Sequence, residues 1–586
     1  MSAGCGSRAS RMIEQVSVSD SRRLLGPNRL MNRAGAVLDV EFAASQRDQL
    51  VAGWATSLRS MLAGLGWDPA EPHVLPCREG ASLAFEAPVD VLLAATEVNE
   101  WAWAHAVAQA GGPADEPLAA ALARIGQLIA AERKPALLAL AAGARDHQVA
   151  FFADDDLVTI GMGSGSRTFP LGALPGANAI DWSGVHDVPL ALVTGSNGKT
   201  TTVRLLAAML RAEGLRPGWS STDGVLIDGE RVVEGDYAGP DGARLVLRDH
   251  RIDAAVLETA RGGILRRGLA ITHADVAVVT NVAADHFGEY GVHDLAGLAA
   301  TKLVVAKAIG PAGRVVLNAE DPVLVEHARQ LRAPLAWFGV DPGGAMLQAA
   351  VASGCGAATV IDGRFVLLRG RERVELLRAD DAPVTLHGSA VHNVANALAA
   401  SLGAWCLGCS PDAIRTALAT FGQSNADNPG RANLYECRGV RILLDYAHNP
   451  HGMQALATVV RALPGGRRAL VLGQAGNRND ESIRGLARSA WAIGIDRVVL
   501  KEMDAYRRGR AAGEIPALLA DEFRRLGLPD DAIERADSEV AAVARALDWA
   551  REGDLLVLTV HSSRREVLDL LTARGAREVR LAGTTV

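Results

Sequence analysis

Short apolar runs alternate with amphipathic stretches along most of the chain after residue 186. The runs PLALVTG, AAVLET, VAVVTN and RVVLN are separated by segments with helical spacing. This alternation predicts a parallel sheet with helices on its faces, because parallel strands need long crossover connections. The alternation resumes after about residue 429 with RILLDYAHNP, RALVLGQAGN, DRVVLKE and DLLVLTV, which predicts a second, Rossmann-like α/β unit.

The remaining regions have different patterns. Residues 1–185 are rich in Ala and Leu, with helical spacing in places, and we predict an N-terminal α+β domain there. Residues 334–390 contain PLAWFGV, RFVLLRG and RVELLRA, which predict a hairpin-rich excursion without helices. Connectors rich in Pro, Gly and Asn suggest boundaries that give an N-terminal domain at 1–185, a central domain at 186–428 and a C-terminal domain at 429–586.

Composition narrows the function classes. The net charge is −7, with 49% hydrophobic and 22% charged residues. No basic block occurs, which argues against a nucleic-acid or membrane-surface role. No run of eighteen apolar residues and no apolar signal core is found, so we expect a cytoplasmic protein. Cys406 and Cys409 form a CxxC within an Ala/Leu-rich helical pattern, and core packing is the favoured interpretation.

The segment ALVTGSNGKTTTV predicts a phosphate-binding loop between a buried strand and a helix. Glycines let the backbone turn tightly so that N–H groups face an anion, and the helix N-terminus adds a favourable dipole. A lysine supplies positive charge for the β- and γ-phosphates, and a hydroxyl at the helix start can reach Mg²⁺. The loop residues are Gly195, Ser196, Asn197, Gly198, Lys199, Thr200 and Thr201. ATP and Mg²⁺ are therefore the predicted cofactors.

Polar residues follow the next predicted strands. Glu258 ends one strand, Asn281 ends the next, and Asp285 and His286 lie just beyond. Ligands of open α/β sheets bind outside the carboxyl ends of the strands, so these groups are candidates for holding Mg²⁺ near the γ-phosphate. A helix-capping acid and a surface histidine are the alternatives for Glu258 and His286. Lys302 follows in a helical pattern, where a lysine is usually a solvated charge.

The segments TGSNGKTT, ETARGG, TNVAADH, LNAEDP, HNVANALAA, NPGR and DYAHNP occur in this order and resemble the Mur ligase family. STDGVLIDG, GDYAGPDGAR, ETARGGILRRGL and KEMDAYRRGRAAGE are most similar to the Mur-like half of cyanophycin synthetases. The resemblance covers about residues 186–586. It implies a central ATPase domain and a ligase that joins an amine to a small-molecule or peptide carboxylate through an acyl phosphate.

The resemblance also implies residue roles. By motif position, Lys199 and Thr200 hold phosphate and Mg²⁺, and Glu258 and His286 are associated with the metal. Lys302 falls where some members carry a carbamylated lysine. The residues implied near the nucleotide or the domain junction are Asn318, Asp321, His392, Asn393, Asn396, Arg431 and Asp445, with His448 and Asn449 in the same turn as the last of these.

The chain departs from the cyanophycin synthetase pattern in three places. Cyanophycin synthetases have an N-terminal domain, an ATP-grasp domain and then the Mur-like part. In this chain RRLLGPNRLMN and ATEVNEWAWAHAVAQA, within residues 1–185, resemble that N-terminal domain, and ARDHQVAFFADDDLVTIGMGSGSR resembles the segment that leads towards the ATP-grasp domain. Only about thirty residues separate the last of these segments from the phosphate loop, so an ATP-grasp domain does not fit between them and one activation site is expected. AGNRND has Asn477 and Asn479 where the family segment is more charged, which leaves arginine open as the amine; Arg478 and Asp480 are retained, either for function or as surface charges. HSS at 561–563 lacks the glycines of a nucleophile elbow, which disfavours a hydrolase.

Two alternatives to this ligase stay open. The first is a muramyl-peptide or polyglutamate type of ligase. The second is a nucleotide-binding accessory subunit of another ligase, against which the intact Lys199, Glu258, His286 and Asp445 argue. A homo-oligomer is compatible with the sequence.

Overall fold

The computed structural model describes residues 16–67, 70–285 and 287–580. The chain divides into two compact units. The first combines Met1–Thr194, Arg216–Ala277 and Gly288–Gly313, and the second combines Gly195–Leu215, Val278–Phe287 and Arg314–Val586. No described helix is long and apolar enough to cross a membrane.

The N-terminal part of the first unit is α+β. Its strands are β1 (Ser17–Leu24), β2 (Gly35–Glu41), β3 (His73–Cys77), β4 (Gly80–Glu86), β5 (Phe151–Ala153), β6 (Leu157–Ile160) and β7 (Arg167–Pro170). Its helices are α1 (Arg47–Gly64), α2 (Leu92–Gln109), α3 (Leu118–Glu132) and α4 (Pro135–Asp146). β1–β4 form an antiparallel sheet in the order β1-β2-β4-β3, and β5–β7 form a small second sheet. Fully buried Trp54 of α1 anchors the core between this sheet and its helices.

The middle of the chain alternates strands and helices as the apolar pattern predicts. In chain order the elements are β8 (Leu190–Thr194), α5 (Lys199–Ala212), β9 (Pro217–Ser221), β10 (Gly224–Ile227), β11 (Glu230–Val233), α6 (Pro240–Leu247), β12 (Ala254–Glu258), α7 (Arg261–Arg267), β13 (Ala274–Val279), α8 (Leu295–Lys302), β14 (Ile309–Asn318), α9 (Pro322–Ala328), β15 (Leu335–Phe338), α10 (Ala345–Ala352), β16 (Gly356–Ile361), β17 (Arg364–Arg369), β18 (Glu372–Arg378), α11 (Val391–Cys406) and α12 (Pro411–Thr420). In the first unit the strand order is β11-β10-β9-β12-β8-β13. In the second unit, which holds the ends of β13 and β14, the order is β13-β14-β15-β16-β17-β18.

The C-terminal part of the second unit has a sheet of its own. Its elements are β19 (Asn433–Cys437), β20 (Val440–Asp445), α13 (Pro450–Ala462), β21 (Arg468–Leu472), α14 (Asp480–Trp491), β22 (Arg497–Lys501), α15 (Glu514–Arg525), β23 (Ile533–Ala536), α16 (Glu539–Trp549), β24 (Leu555–Thr559), α17 (Arg564–Ala573) and β25 (Arg577–Glu578). The strand order is β23-β22-β21-β24-β20-β19-β25, with parallel pairs from β23 to β20. The predicted Rossmann-like α/β class of this region is confirmed.

The expectation of a helix-free excursion at 334–390 is wrong in part. Helix α10 lies between β15 and β16, and β14, β15 and β16 pair in parallel. Only β16, β17 and β18 form antiparallel hairpins. The helix has eight residues, AMLQAAVA, of which only Leu347 and Ala350 are buried, so the segment carries little helical periodicity.

The CxxC cysteines lie at and just after the end of α11, as the core interpretation predicts. Cys409 is buried and Cys406 is half-buried. Burial raises the pKa of Cys406 to about 11 and that of Cys409 to about 12, where Glu213 adds to the effect. A thiol with a raised pKa is a poor nucleophile and metal ligand, so both act as small apolar groups.

Within the first unit, the segment after β1 crosses the end of α7 backbone to backbone. The Leu25 N–H donates to the Arg267 carbonyl, and the Leu269 N–H donates to the Pro27 carbonyl, both at 2.8 Å. A Cβ on Gly26 would overlap the Leu269 carbonyl oxygen. The N-terminal region therefore fixes the end of the helix that follows Glu258 through main-chain contacts.

Replacing Gly26 by Ala tests this crossing. The added methyl group has no space beside the Leu269 carbonyl, so the backbones must separate, at a cost of about 1–3 kcal/mol. We expect Gly26→Ala to lower the midpoint of thermal unfolding measured by circular dichroism. Gly172→Ala is the matched control, because nothing lies within 4 Å of its Cβ position. Equal midpoints for the two variants would contradict the crossing.

Candidate functional site

The phosphate-loop residues lie between β8 and α5, with the strand, loop and helix that the sequence predicts. β8 is buried along its whole length. Helix α5 begins at Lys199, and Gly198 precedes it in the left-handed region at φ 83°. The first N–H groups of a helix have no partner inside the helix, so this end is suited to an anion.

Two glycines of the loop have no room for a side chain. A Cβ on Gly195 would overlap Thr280 Oγ1, and one on Gly198 would overlap Asn396 Oδ1. Lys199 curls back over the same loop, and its Nζ donates to the carbonyl oxygens of Gly195 at 3.1 Å and Ser196 at 3.3 Å. The ammonium group is thus held at the loop by the loop's own backbone.

The segment after β13 fixes the loop from the side. Asn281 accepts from the Asn197 N–H through Oδ1 at 2.9 Å and donates to the Asn197 carbonyl through Nδ2 at 3.0 Å. Thr280 Oγ1 donates to the same carbonyl at 2.6 Å. Ser196 Oγ donates to the Ala283 carbonyl at 3.0 Å and accepts from its N–H at 2.9 Å. The strand-end asparagine singled out in the sequence therefore shapes the loop.

Asn318 ends β14, Asp321 lies in the turn that follows, and both side chains bond mainly to backbone. Asn318 Nδ2 donates to the Thr280 carbonyl at 3.1 Å. Asp321 caps α9 through Oδ1 and accepts from the Val282 N–H through Oδ2 at 2.6 Å. Each side chain has a structural task in shaping the segment that holds the loop, and the nucleotide contact predicted for them stays a prediction.

The polar residues of α11 pack against the loop. Asn396 is buried beside Gly198, and its Nδ2 donates to Asn393 Oδ1 at 3.1 Å. Asn393 in turn donates to the Val384 carbonyl at 2.9 Å. Burial lowers the pKa of His392, an effect that the Asp445 carboxylate opposes. The structure therefore brings two of these three predicted residues into one hydrogen-bonded group next to the loop.

Asp445 ends β20 and ties two turns of the C-terminal part together. It accepts from the Ala432 N–H at 2.8 Å and from the Ala447 N–H at 2.7 Å. The guanidinium of Arg431 lies 4.3 Å from the centre of the Tyr446 ring, a cation–π contact. Asp445 and Arg431 thus lie on the turns that carry the NPGR and DYAHNP segments.

Asn449 contacts the phosphate loop directly. Asn197 Nδ2 donates to Asn449 Oδ1 at 3.2 Å, and Asn449 Nδ2 donates to Asn197 Oδ1 at 3.0 Å. Asn449 also caps α13, and His451 Nδ1 lies 2.9 Å from Asn197 Nδ2. A second hydrogen bond between distant parts of the chain runs from Asn428 Nδ2 to Thr201 Oγ1, at the start of α5, at 3.1 Å. The sequence analysis gave no role to Asn428, the first residue of NPGR, or to His451, which follows DYAHNP, because their partners Thr201 and Asn197 are far away in the chain.

A buried ion pair supports the same region. Arg478 NH2 lies 2.8 Å from Asp285 Oδ1, and both side chains are less than 10% exposed. Arg478 is therefore not a surface charge, whereas Asp480 is mostly exposed and pairs with Arg510 at 2.8 Å. Asn479 caps α14 by accepting from the Ser482 N–H at 2.8 Å. The altered AGNRND segment thus contains one buried charge and one helix cap.

Glu258 and Lys302 belong to the first unit. Glu258 is the last residue of β12, 1% exposed, and pairs in parallel register with Val193 just before the loop. Lys302 ends α8 and is buried, so the solvated-charge interpretation is wrong for it. His286 lies outside the described residues. Among residues 16–67, 70–285 and 287–580, no group of three or more His, Cys, Asp or Glu side chains is arranged to hold a metal ion.

The fold and the loop define a class of protein: a central α/β region whose glycine-rich loop opens a helix, followed by a second α/β region. Residues 193–404 match the family described as Mur ligase middle domain, and residues 430–560 match the one described as Mur ligase, glutamate ligase domain. The chain belongs to the Mur ligase family.

Its relatives include two groups of curated proteins. The chain is 38% identical to the cyanophycin synthetase of Trichormus variabilis over 388 residues, which are 66% of this chain and 43% of that protein. It is 29% identical to the UDP-N-acetylmuramate–L-alanine ligase of Xylella fastidiosa over 379 residues, covering 62% of this chain and 70% of that protein. The chain thus spans less than half the length of the cyanophycin synthetases it matches. Among solved structures, E. coli FolC with ADP aligns with a TM-score of 0.49 and 22% identity over 66% of this chain and 90% of that one.

Between β7 and β8 the described chain contains only short 3₁₀ turns, at Ala177–Ala179 and Trp182–Gly184. This agrees with the expectation that no ATP-grasp domain separates the N-terminal region from the phosphate loop.

Replacing Gly198 by Ala tests the close packing of the loop. A methyl group must displace Asn396, and we expect affinity for a fluorescent ATP analogue to fall about tenfold or more, since overpacking costs about 1–3 kcal/mol. Gly354→Ala is the matched control: its φ of 79° imposes a similar backbone strain, but nothing lies within 4 Å of its Cβ position. Unaltered binding of the analogue by both variants would contradict the close packing of Asn396 against Gly198.

Proposed function

We propose that this chain is an ATP- and Mg²⁺-dependent ligase that forms an amide bond through an acyl phosphate. The observation that carries the proposal is the loop itself. Lys199 opens helix α5, its Nζ is held at the carbonyls of Gly195 and Ser196, and no side chain fits at the two glycines. Membership of the Mur ligase family supports the same chemistry.

In the proposed reaction, a carboxylate oxygen of the first substrate attacks the γ-phosphorus of ATP and ADP leaves. The amine of the second substrate then attacks the acyl carbon, inorganic phosphate leaves, and the nitrogen loses a proton. Phosphoryl transfer depends mainly on positioning and charge neutralisation. Lys199 and the first N–H groups of α5 position the transferred phosphoryl group and neutralise its charge. Excluding water matters because an acyl phosphate hydrolyses readily.

The residues around the loop fit a nucleotide with its magnesium ion. Mg²⁺ binds through one or two protein oxygens and the substrate phosphates, so it does not require the multi-residue cluster that the described residues lack. When bound, the ion neutralises the phosphate oxygens. Thr200, Glu258 and His286 are the proposed magnesium-associated residues. Lys302, which is buried, is proposed to belong to the site because it lies at the motif position where some family members carry a carbamylated lysine.

The nucleotide is proposed to contact seven further residues of the second unit. They are Asn318, Asp321, His392, Asn393, Asn396, Arg431 and Asp445. Support comes from their surroundings: Asn396 packs on Gly198, and Asp445 joins the NPGR turn to the DYAHNP turn.

The proposed substrates are the carboxylate of an aspartyl or other amino-acid or peptide compound and an amino acid or other amine. The relatives named cyanophycin synthetase make a component of cyanophycin the first candidate substrate. The relatives named UDP-N-acetylmuramate–L-alanine ligase make a muramyl substrate the second candidate. Because ATP is the proposed co-substrate, a cytoplasmic location is part of the proposal.

Lys199→Ala is the direct test. Without the ammonium group the transferred phosphoryl charge is not neutralised, and we expect substrate-dependent ADP release to fall by about a hundredfold or more. The assay combines ATP and Mg²⁺ with a panel of carboxylates, including aspartyl peptides and a UDP-muramyl compound, and a panel of amines. Mass spectrometry identifies the condensed product.

Lys134→Ala is the control, because it removes a lysine of the N-terminal region that lies outside the loop. ADP release that is unchanged in Lys199→Ala, with no condensed product from any substrate pair, would overturn the ligase. Nucleotide binding by the unaltered protein without any product would favour the accessory-subunit alternative.

A further inference from the structure

The HSS turn at 561–563 has no part in the proposed chemistry, yet its backbone is tightly held. The carboxylate of Glu539, at the start of α16, accepts the N–H groups of His561 at 2.8 Å, Ser562 at 3.1 Å and Ser563 at 2.8 Å. This turn leads into the N-terminus of α17, where backbone N–H groups favour an anion. In this turn the N–H groups that precede α17 are satisfied by the protein's own carboxylate.

A buried lysine completes the arrangement. Lys501 is the last residue of β22, and its Nζ donates to the Glu539 carboxylate and to the Thr559 carbonyl at 2.5 Å. Both charged side chains are at most 1% exposed. Burial raises the pKa of Glu539, but the Lys501 charge and the backbone N–H groups outweigh this, and the net pKa is below its usual range. A buried ion pair contributes little net stability because desolvation offsets the attraction, so stability alone does not explain this one.

The ion pair fixes the state of a histidine. Lys501 Nζ lies 3.1 Å from His561 Nδ1, and His561 Nε2 lies 3.2 Å from the Ala447 carbonyl oxygen. An ammonium group only donates, so Nδ1 accepts and Nε2–H donates to the carbonyl. Burial and the Lys501 charge hold the pKa of His561 well below its usual value. The ring is therefore neutral and in a single tautomer.

His561 acts on the DYAHNP turn. The His561 ring packs edge-on against Tyr446, with the ring centres 5.1 Å apart. Its Nε2–H donates to the carbonyl of Ala447, the residue after Tyr446. Gln474 Nε2 donates to the following carbonyl, that of His448, at 2.9 Å. The next residue, Asn449, makes the reciprocal amide contact with Asn197 of the phosphate loop. Continuous contacts thus connect the HSS turn to the phosphate loop.

We infer that Lys501, Glu539 and His561 are positioning residues that set the DYAHNP turn, and through Asn449 the phosphate loop, for phosphoryl transfer. The inference rests on the proposed function. None of the three touches the loop. Lys501 and Glu539 hold His561, and His561 holds the Ala447 carbonyl where Asn449 can meet Asn197.

The test is a double-mutant cycle between His561→Phe and Asn449→Ala. The Phe ring retains packing against Tyr446 but removes both polar contacts of the imidazole. A small misplacement of reacting groups costs up to about a hundredfold in rate, so we expect kcat for ADP release to fall about tenfold to a hundredfold, with a smaller change in KM for ATP. If His561 acts through Asn449, the double variant is no slower than Asn449→Ala alone.

Three matched variants sharpen the result. His561→Gln, whose amide can accept from Lys501 and donate to Ala447, is expected to recover most of kcat. His250→Phe makes the same change at an exposed histidine and is expected to leave kcat unchanged. Lys501→Met tests the ion pair if His561→Phe does not fold. Multiplicative losses of kcat in the double variant, or a His561→Phe enzyme with unaltered kcat, would overturn the inference.

Nuclear magnetic resonance of the ¹⁵N-histidine-labelled protein gives an answer that does not depend on activity. The signal missing from His561→Phe identifies His561, and we expect a neutral ring protonated at Nε2. An imidazolium or an Nδ1-protonated ring contradicts the arrangement even if the ligase is active. Absence of ADP release from the unaltered protein overturns the proposed function instead, so the two failures are distinguishable.

Discussion

The close fit around the phosphate loop is the constraint on which the rest of the second unit depends. The loop turns where Gly195 and Gly198 have Thr280 and Asn396 against their α-carbons, so only hydrogen fits at either position. Because protein interiors are close-packed, a loop held this way has few alternative conformations. Asn281 and Asn449 both bond Asn197, one of the two loop residues between these glycines.

The polar side chains around the loop are mostly bonded to backbone rather than directed at open solvent. Asp321 caps a helix, Asp445 joins two turns, and Asn393 holds a carbonyl. Buried polar groups are costly unless they are paired, and a fully paired network is rigid. Such rigidity suits phosphoryl transfer, which gains most from fixed positions and fixed charges.

Two buried ion pairs support the region around the DYAHNP turn. Arg478 with Asp285 and Lys501 with Glu539 are each shielded from water, and each lies next to the DYAHNP turn or the segment that follows β13. A surface pair in the same fold would contribute little. Their burial allows them to fix neighbouring backbone, which is the basis for assigning Lys501 and Glu539 a positioning role.

The sequence by itself determined the periodic elements and the phosphate loop. Short continuous apolar runs predicted β8, β12, β13, β20, β21, β22 and β24, because parallel strands that are buried on both faces are apolar along their length. The order of motifs placed the chain in the Mur ligase family without a structure. Short elements such as α10 were missed, since eight residues with two buried positions carry little periodicity.

Only the tertiary structure decided which polar residues meet. Asn197 and Asn449 are 252 residues apart in the chain, and no local pattern predicts their reciprocal contact. The burial of Lys302 and Arg478 could not be predicted from the sequence either. The local sequence pattern around a lysine or arginine is the same whether its helix face or turn is buried or exposed. Pairing across long separations and burial of charge depend on how distant segments pack, and that information is not contained in any short stretch of sequence.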